Sequence, residues 1–184
     1  KLWAVGSSDV HDWGTPGTPR TYFVSSTDSP AAFQEDELVD ALLGGHMVVS
    51  AGAFARVSVN GAAGPGDTVT DPDGEVDVAV HIEAIPEIDV AWFKVFANCD
   101  QVATVAATDP AAVVKFDGTV KVAVTRDAHL VVVGFGTGVM PAGLKAIAVD
   151  GAPRFGTNPV FVDFDGNGVF ESRRAVHGDR LETG

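Results

Sequence analysis

From residue 47 onward the chain is written in short runs where apolar and polar positions alternate, the period that puts every second side chain on one face of a β-strand. EVDVAVHI sets Val76, Val78, Val80 and Ile82 on one face and Glu75, Asp77 and His81 on the other, and TVKVAV repeats this with Val120, Val122 and Val124. Further strands are predicted over 54–60, 89–96, 102–106, 129–135, 145–149 and 160–164. Turn signals separate them: Asn60-Gly61, Asp73-Gly74, Asn98-Cys99-Asp100 and Asp117-Gly118. About seven strands at this spacing predict a mainly β protein built as an immunoglobulin-like β-sandwich. The glycine-rich stretch from Gly134 to Pro141 reads as a loop leaving the sandwich.

The first fifty residues have a different texture. The apolar run Leu2-Trp3-Ala4-Val5 predicts a strand, and a loop rich in Gly, Pro, Ser and Thr follows from Gly6 to Pro30. QEDELVDALLGG is then the one convincing helix. Glu35, Asp36 and Glu37 suit the positive end of its dipole, Leu38/Leu42 and Val39/Leu43 form i,i+4 apolar pairs, and Gly44-Gly45 stop it. The helix is expected to pack on the preceding strand layer. Three units result: 1–49, with strand, loop and helix; 50–152, the sandwich; and 153–184, a C-terminal extension.

Charge narrows the partners. With 25 acidic against 12 basic residues the net charge is −13, and no basic footprint exists for a phosphate backbone, so nucleic acid is excluded as a partner. The dispersed acids serve solubility. No apolar run approaches the ~20 residues of a membrane span, so no membrane partner is expected. The single Cys99 excludes an intrachain disulfide framework and leaves the compartment open, secreted or periplasmic locations included. The chain starts at Lys1 directly before a strand-like run, which leads us to expect further sequence upstream.

Two stretches carry candidate chemistry. In GSSDVHDW, Asp9 and His11 stand two residues apart, a spacing that lets both face one ion; an exposed loop acid and imidazole is the plain alternative. In DFDGNGVFE, Asp163, Asp165 and Asn167 alternate before Gly168, as in the first half of an EF-hand loop, with Glu171 at the ninth position. Arg174 occupies the twelfth, where an EF-hand needs a bidentate Glu. A plain hairpin turn is therefore preferred to a calcium-binding turn completed from elsewhere. Of the histidines, His81 is expected as an exposed imidazole on a polar strand face and His46 as a partner of the helix C-terminus.

Taken in order, AVGSSDVHDW, GTPRTYF, ELVDALLGGHMVVSAGAFARVSVNG and TNPVFVDFDGNGVF resemble the C-terminal half of PHP-superfamily metallohydrolases of the CehA/McbA kind. The resemblance implies that 1–49 is the end of a β/α barrel, a short α/β remnant ahead of the sandwich. It makes Ser8, Asp9, Val10 and His11 the barrel's last metal motif, with Asp9 and His11 as ligands of divalent zinc, manganese or iron. The family's remaining ligands, beginning with an HxH, lie upstream of that motif and have no counterpart among these 184 residues. By the same resemblance Arg20 becomes an anion clamp for a small-molecule ester or phosphoester; an ion pair with Asp9 or Asp12 is the alternative. Trp13 and Tyr22 flank the loop and could wall a pocket. The implied function is hydrolysis by the intact enzyme, with this portion alone inactive. The alternative is a non-catalytic immunoglobulin-like accessory module, which calcium would stabilise if the Asp-rich turn held an ion.

Overall fold

The structure, a computed structural model, describes residues 1–9, 11, 17–141 and 151–172. The expected strand over 145–149, and Asp12, Trp13, Arg174 and His177, lie outside the described residues. The chain is mainly β, with two sheets facing each other across one apolar core.

The larger sheet has eight strands. Its spine is β9 (Ala128–Phe135), hydrogen-bonded on one side to β6 (Trp92–Ala97), which carries β7 (Asp100–Ala106). On the other side β10 (Arg154–Thr157) and β11 (Val160–Asp163) follow one another along β9. Beyond β10 come β2 (Met47–Ala51) and the edge strand β1 (Arg20–Phe23), and β11 takes β4 (Thr68–Thr70) in parallel. The smaller sheet is β3 (Phe54–Val59), β5 (Glu75–Glu83) and β8 (Val114–Ala123) in that order.

Alternation explains the burial. Val76, Val78, Val80 and Ile82 of β5 are all buried, as are Leu130 and Val132 of β9 and Phe93 and Val95 of β6. Phe93 meets Phe116 of β8 edge to face at 4.8 Å across the two sheets. Gly134 is required where β9 passes under Phe155, because a Cβ there would lie 1.9 Å from that ring.

The strands over 54–60, 89–96, 102–106, 119–124, 129–135 and 160–164 appear with shifted ends. β1, β4 and β10 arise where no alternation of useful length marks them. The divisions expected at 49/50 and 152/153 fall within the larger sheet: β2 runs across the first, and β10 lies between β2 and β9 just after the second. Val48, Phe155, Val160 and Val162 share the core with the strands between.

Residues 2–5 form no strand. Instead, the side-chain amide of Asn158, in the β10–β11 connection, exchanges hydrogen bonds with the backbone of Ala4, and Gly6 N–H donates to the Thr21 hydroxyl. The helix α1 (Glu35–Gly44) ends on Gly45 in the left-handed conformation, as its glycines predict. Its packing differs from expectation: only Ala41 is buried, while Leu38, Val39, Leu42 and Leu43 remain exposed, Leu43 by 75%. The apolar stripe has no strand layer to cover it among the described residues. Trp3 Nε1–H donates to the Leu43 carbonyl, so the helix is tied through its C-terminal turn. Among the described residues no helix is long and apolar enough to cross a membrane.

Candidate functional site

Asp9 and His11 do come together. His11 Nε2 lies 3.0 Å from Asp9 Oδ1, and both side chains are open to solvent by more than four-fifths. Asp9 has a left-handed backbone, φ 48°, which Asp tolerates better than most residues, and its N–H donates to the Ser7 hydroxyl. The segment is anchored just upstream, where Trp3 packs edge to face on Phe161 at 6.1 Å and Ala4 and Gly6 are hydrogen-bonded as above. Asp9 and His11 thus sit at the free end of a tethered arm. They offer one carboxylate and one imidazole, two of the three protein ligands usual for a catalytic zinc; no third metal-ligating side chain joins them among the described residues.

Arg20, at the start of β1, donates to the Thr18 hydroxyl at 3.3 Å and lies 5.9 Å from the Tyr22 ring. No carboxylate among the described residues pairs with it, so the expected alternative of an ion pair with Asp9 is not formed. Its planar fork is exposed and has the geometry to bind an anion. Tyr22 lines a cleft between the edges of β1 and β3.

The Asp-rich turn is organised differently from an EF-hand. Asp163 is fully buried; its Oδ1 accepts from Gly166 N–H and its Oδ2 from Gly168 N–H and the Thr70 hydroxyl. Burial pushes its pKa up, but those hydrogen bonds outweigh burial and hold it below the ordinary carboxylate value. Asp165 accepts from the Asn167 backbone and side-chain amide, and Asn167 Oδ1 accepts from Val169 N–H. These are Asx turns closing on themselves. Glu171 takes part only through its N–H, which donates to Asp127 Oδ2 at 2.6 Å. Asp127, at the entry to β9, also accepts from Phe164 N–H. Carboxylate oxygens of Asp127, Asp163 and Asp165 lie within 4.8 Å of one another. Glu171, expected alongside Asp163 and Asp165, is not in that group of carboxylates, and Asp127 is. Nothing near Asp127 in the chain marks it: it reaches the turn because β11 pairs with β9.

His81 differs from expectation, whereas His46 sits at the C-terminal end of α1, its backbone N–H donating to the Ala41 carbonyl. His81 is half-buried and bound on both nitrogens, to Glu83 at 2.8 Å and Asp117 at 3.3 Å, because β3–β5–β8 register sets Arg56, His81 and Asp117 in one row. His46 pairs with Asp67 at 3.2 Å.

No family model, curated protein or solved structure matches the chain.

Proposed function

We propose that this chain is the C-terminal part of a PHP-type metal-dependent hydrolase acting on a small-molecule ester or phosphoester. The observation that carries the reading is the Asp9–His11 pair, in contact at 3.0 Å and turned to solvent on an anchored arm. An isolated surface pair needs no such tether. A metal centre does, because ligands must be held in place for a cation that other residues complete. Asp9 and His11 fit two corners of such a centre and leave the rest to residues upstream.

Zinc, manganese or iron, when bound, would lower the pKa of a bound water and polarise the ester oxygen. Asp9 would hold it through a carboxylate oxygen and His11 through a ring nitrogen, while Arg20 binds and orients the substrate anion through parallel N–H donors. The stripe Leu38, Val39, Leu42 and Leu43, uncovered by the described residues, supports the same reading, since it suits a helix packed against further protein. The strands behind it are read as an immunoglobulin-like sandwich that follows the barrel remnant. An accessory module without catalysis is the second reading, favoured by the two sheets closing on one apolar core.

The test is metal analysis and ester hydrolysis on the whole gene product, with Asp9→Ala and His11→Ala. Both variants should lose metal and most of the activity, while the 184-residue chain alone should be inactive with added Zn²⁺, Mn²⁺ or Fe²⁺. Unchanged metal content in both variants would leave the accessory-module reading in its place.

A further inference from the structure

We infer that the outer edge of β3 is a docking site for an extended segment of a second polypeptide, added as a strand beside it. β3 is the edge of a sheet of only three strands, and along it runs a cleft of about 550 Å³ whose far wall is built by Tyr22, Phe23, Met47 and Val48 of the other sheet. The walls are apolar. The cleft also has unmet hydrogen-bonding capacity.

That capacity follows from the phase of the ladder. Val59 exchanges both backbone hydrogen bonds with Ala63 on the side away from β5, whereas Asn60 N–H reaches the Asp77 carbonyl on the β5 side. The bonded side alternates residue by residue in an antiparallel pair. Ala55 and Val57, in phase with Val59, therefore turn their N–H and C=O groups away from β5 and toward the cleft. No strand, turn or side chain among the described residues pairs with them. Yet Ala55 is 1% and Val57 8% exposed. That burial belongs to their side chains, which face the core; their main-chain groups border the cleft, and a strand added here would pair four of them at once.

The site also selects its occupant. Residues opposite Ala55 and Val57 would point inward with them, so the segment needs apolar side chains at alternate positions. The residue between them would face outward beside Arg56. His81 takes both Glu83 and Asp117, and Arg56 has no carboxylate partner among the described residues. An acidic residue is complementary there. A small apolar molecule would fill the walls but leave the backbone groups unpaired.

The probe is the labelled peptide acetyl-Thr-Val-Thr-Val-Glu-Val-Thr-amide, titrated into the 184-residue chain by fluorescence anisotropy, with amide hydrogen exchange read in parallel. We expect saturable binding and slowed exchange at Ala55 and Val57. N-methylation of the central Val, whose amide faces β3, should weaken binding about tenfold or more, the worth of a lost hydrogen bond or two. N-methylation of the Glu, whose amide faces away, should not. Arg56→Glu, on the exposed face, should leave the thermal transition unchanged, disfavour this peptide and favour its Glu-to-Lys counterpart. Absence of saturable binding, or equal sensitivity to both methylations, would overturn the proposal. So would a dimer of the free chain in which the Ala55 and Val57 amides are already protected, because the edge would then belong to a second copy.

Discussion

Asn158 and Ala4, 154 residues apart, are joined by two hydrogen bonds: Ala4 N–H donates to Asn158 Oδ1 at 2.8 Å, and Asn158 Nδ2 donates to the Ala4 carbonyl at 3.2 Å. Asn158 is buried, so its amide reads the backbone of the N-terminal arm as a neighbouring strand would. The pair holds the arm that carries Asp9 and His11 to the sandwich. Asn158→Ala should destabilise the chain by about 1–3 kcal/mol, since two part-buried hydrogen bonds go. Urea denaturation measures this, and fast hydrogen exchange at Ala4 in the variant should accompany it. A variant as stable as the parent would mean that the arm is held by Trp3 and by Gly6 on Thr21.

The Asp-rich turn should make stability depend on acid. Folding lowers the Asp163 pKa, so as pH falls the unfolded chain takes up this proton first. The contribution is whole above about pH 4, the ordinary unfolded value, and disappears as pH drops through the lower folded value. Asp89 acts in the same direction: burial pushes its pKa up, but hydrogen bonds from the Thr137 and Gly138 N–H groups and the Thr137 hydroxyl outweigh it. Asp163→Asn should therefore lower stability at neutral pH and flatten the loss below about pH 4. Equal acid slopes in variant and parent would contradict this.

Calcium should change the melting temperature little. The oxygens of Asp127, Asp163 and Asp165 are already engaged by N–H groups and the Thr70 hydroxyl, which lets the turn close without an ion. An ion at ~100-fold over its Kd would add roughly 2.7 kcal/mol, several degrees of melting temperature. A rise of that size in millimolar calcium, absent in Asp165→Asn, would make the three carboxylates a cation site.

Gly134→Ala should be among the most damaging small substitutions. The new methyl would meet the Phe155 ring at 1.9 Å, with β9 fixed between β6 and β10 and unable to yield. A cost of about 1–3 kcal/mol or more is expected from overpacking. Combining it with Phe155→Leu should recover part of that loss, because the two sites share one contact. Additive losses would show that the strain lies in the backbone instead.

Period-two alternation is a local property, and it sufficed for β5 and β8, whose apolar faces have nowhere to go but between two sheets. The glycine stop of α1 was legible for the same reason: Gly45 closes the helix with its own left-handed backbone. The short strands β1, β4 and β10 have three or four residues each and acquire their state from neighbours in the sheet, so no stretch of sequence announces them. The candidate sites divide in the same way. Asp9 and His11, neither of them in a helix, meet because they stand two positions apart, a relationship set locally. Asp127 joins Asp163 because β9 pairs with β11, Arg56 lines up with His81 and Asp117 through strand register, and the unpaired edge at Ala55 and Val57 exists because the smaller sheet stops at β3. Residues far apart in the chain become neighbours only when backbone hydrogen bonds choose a register, and that choice is made by the whole core at once.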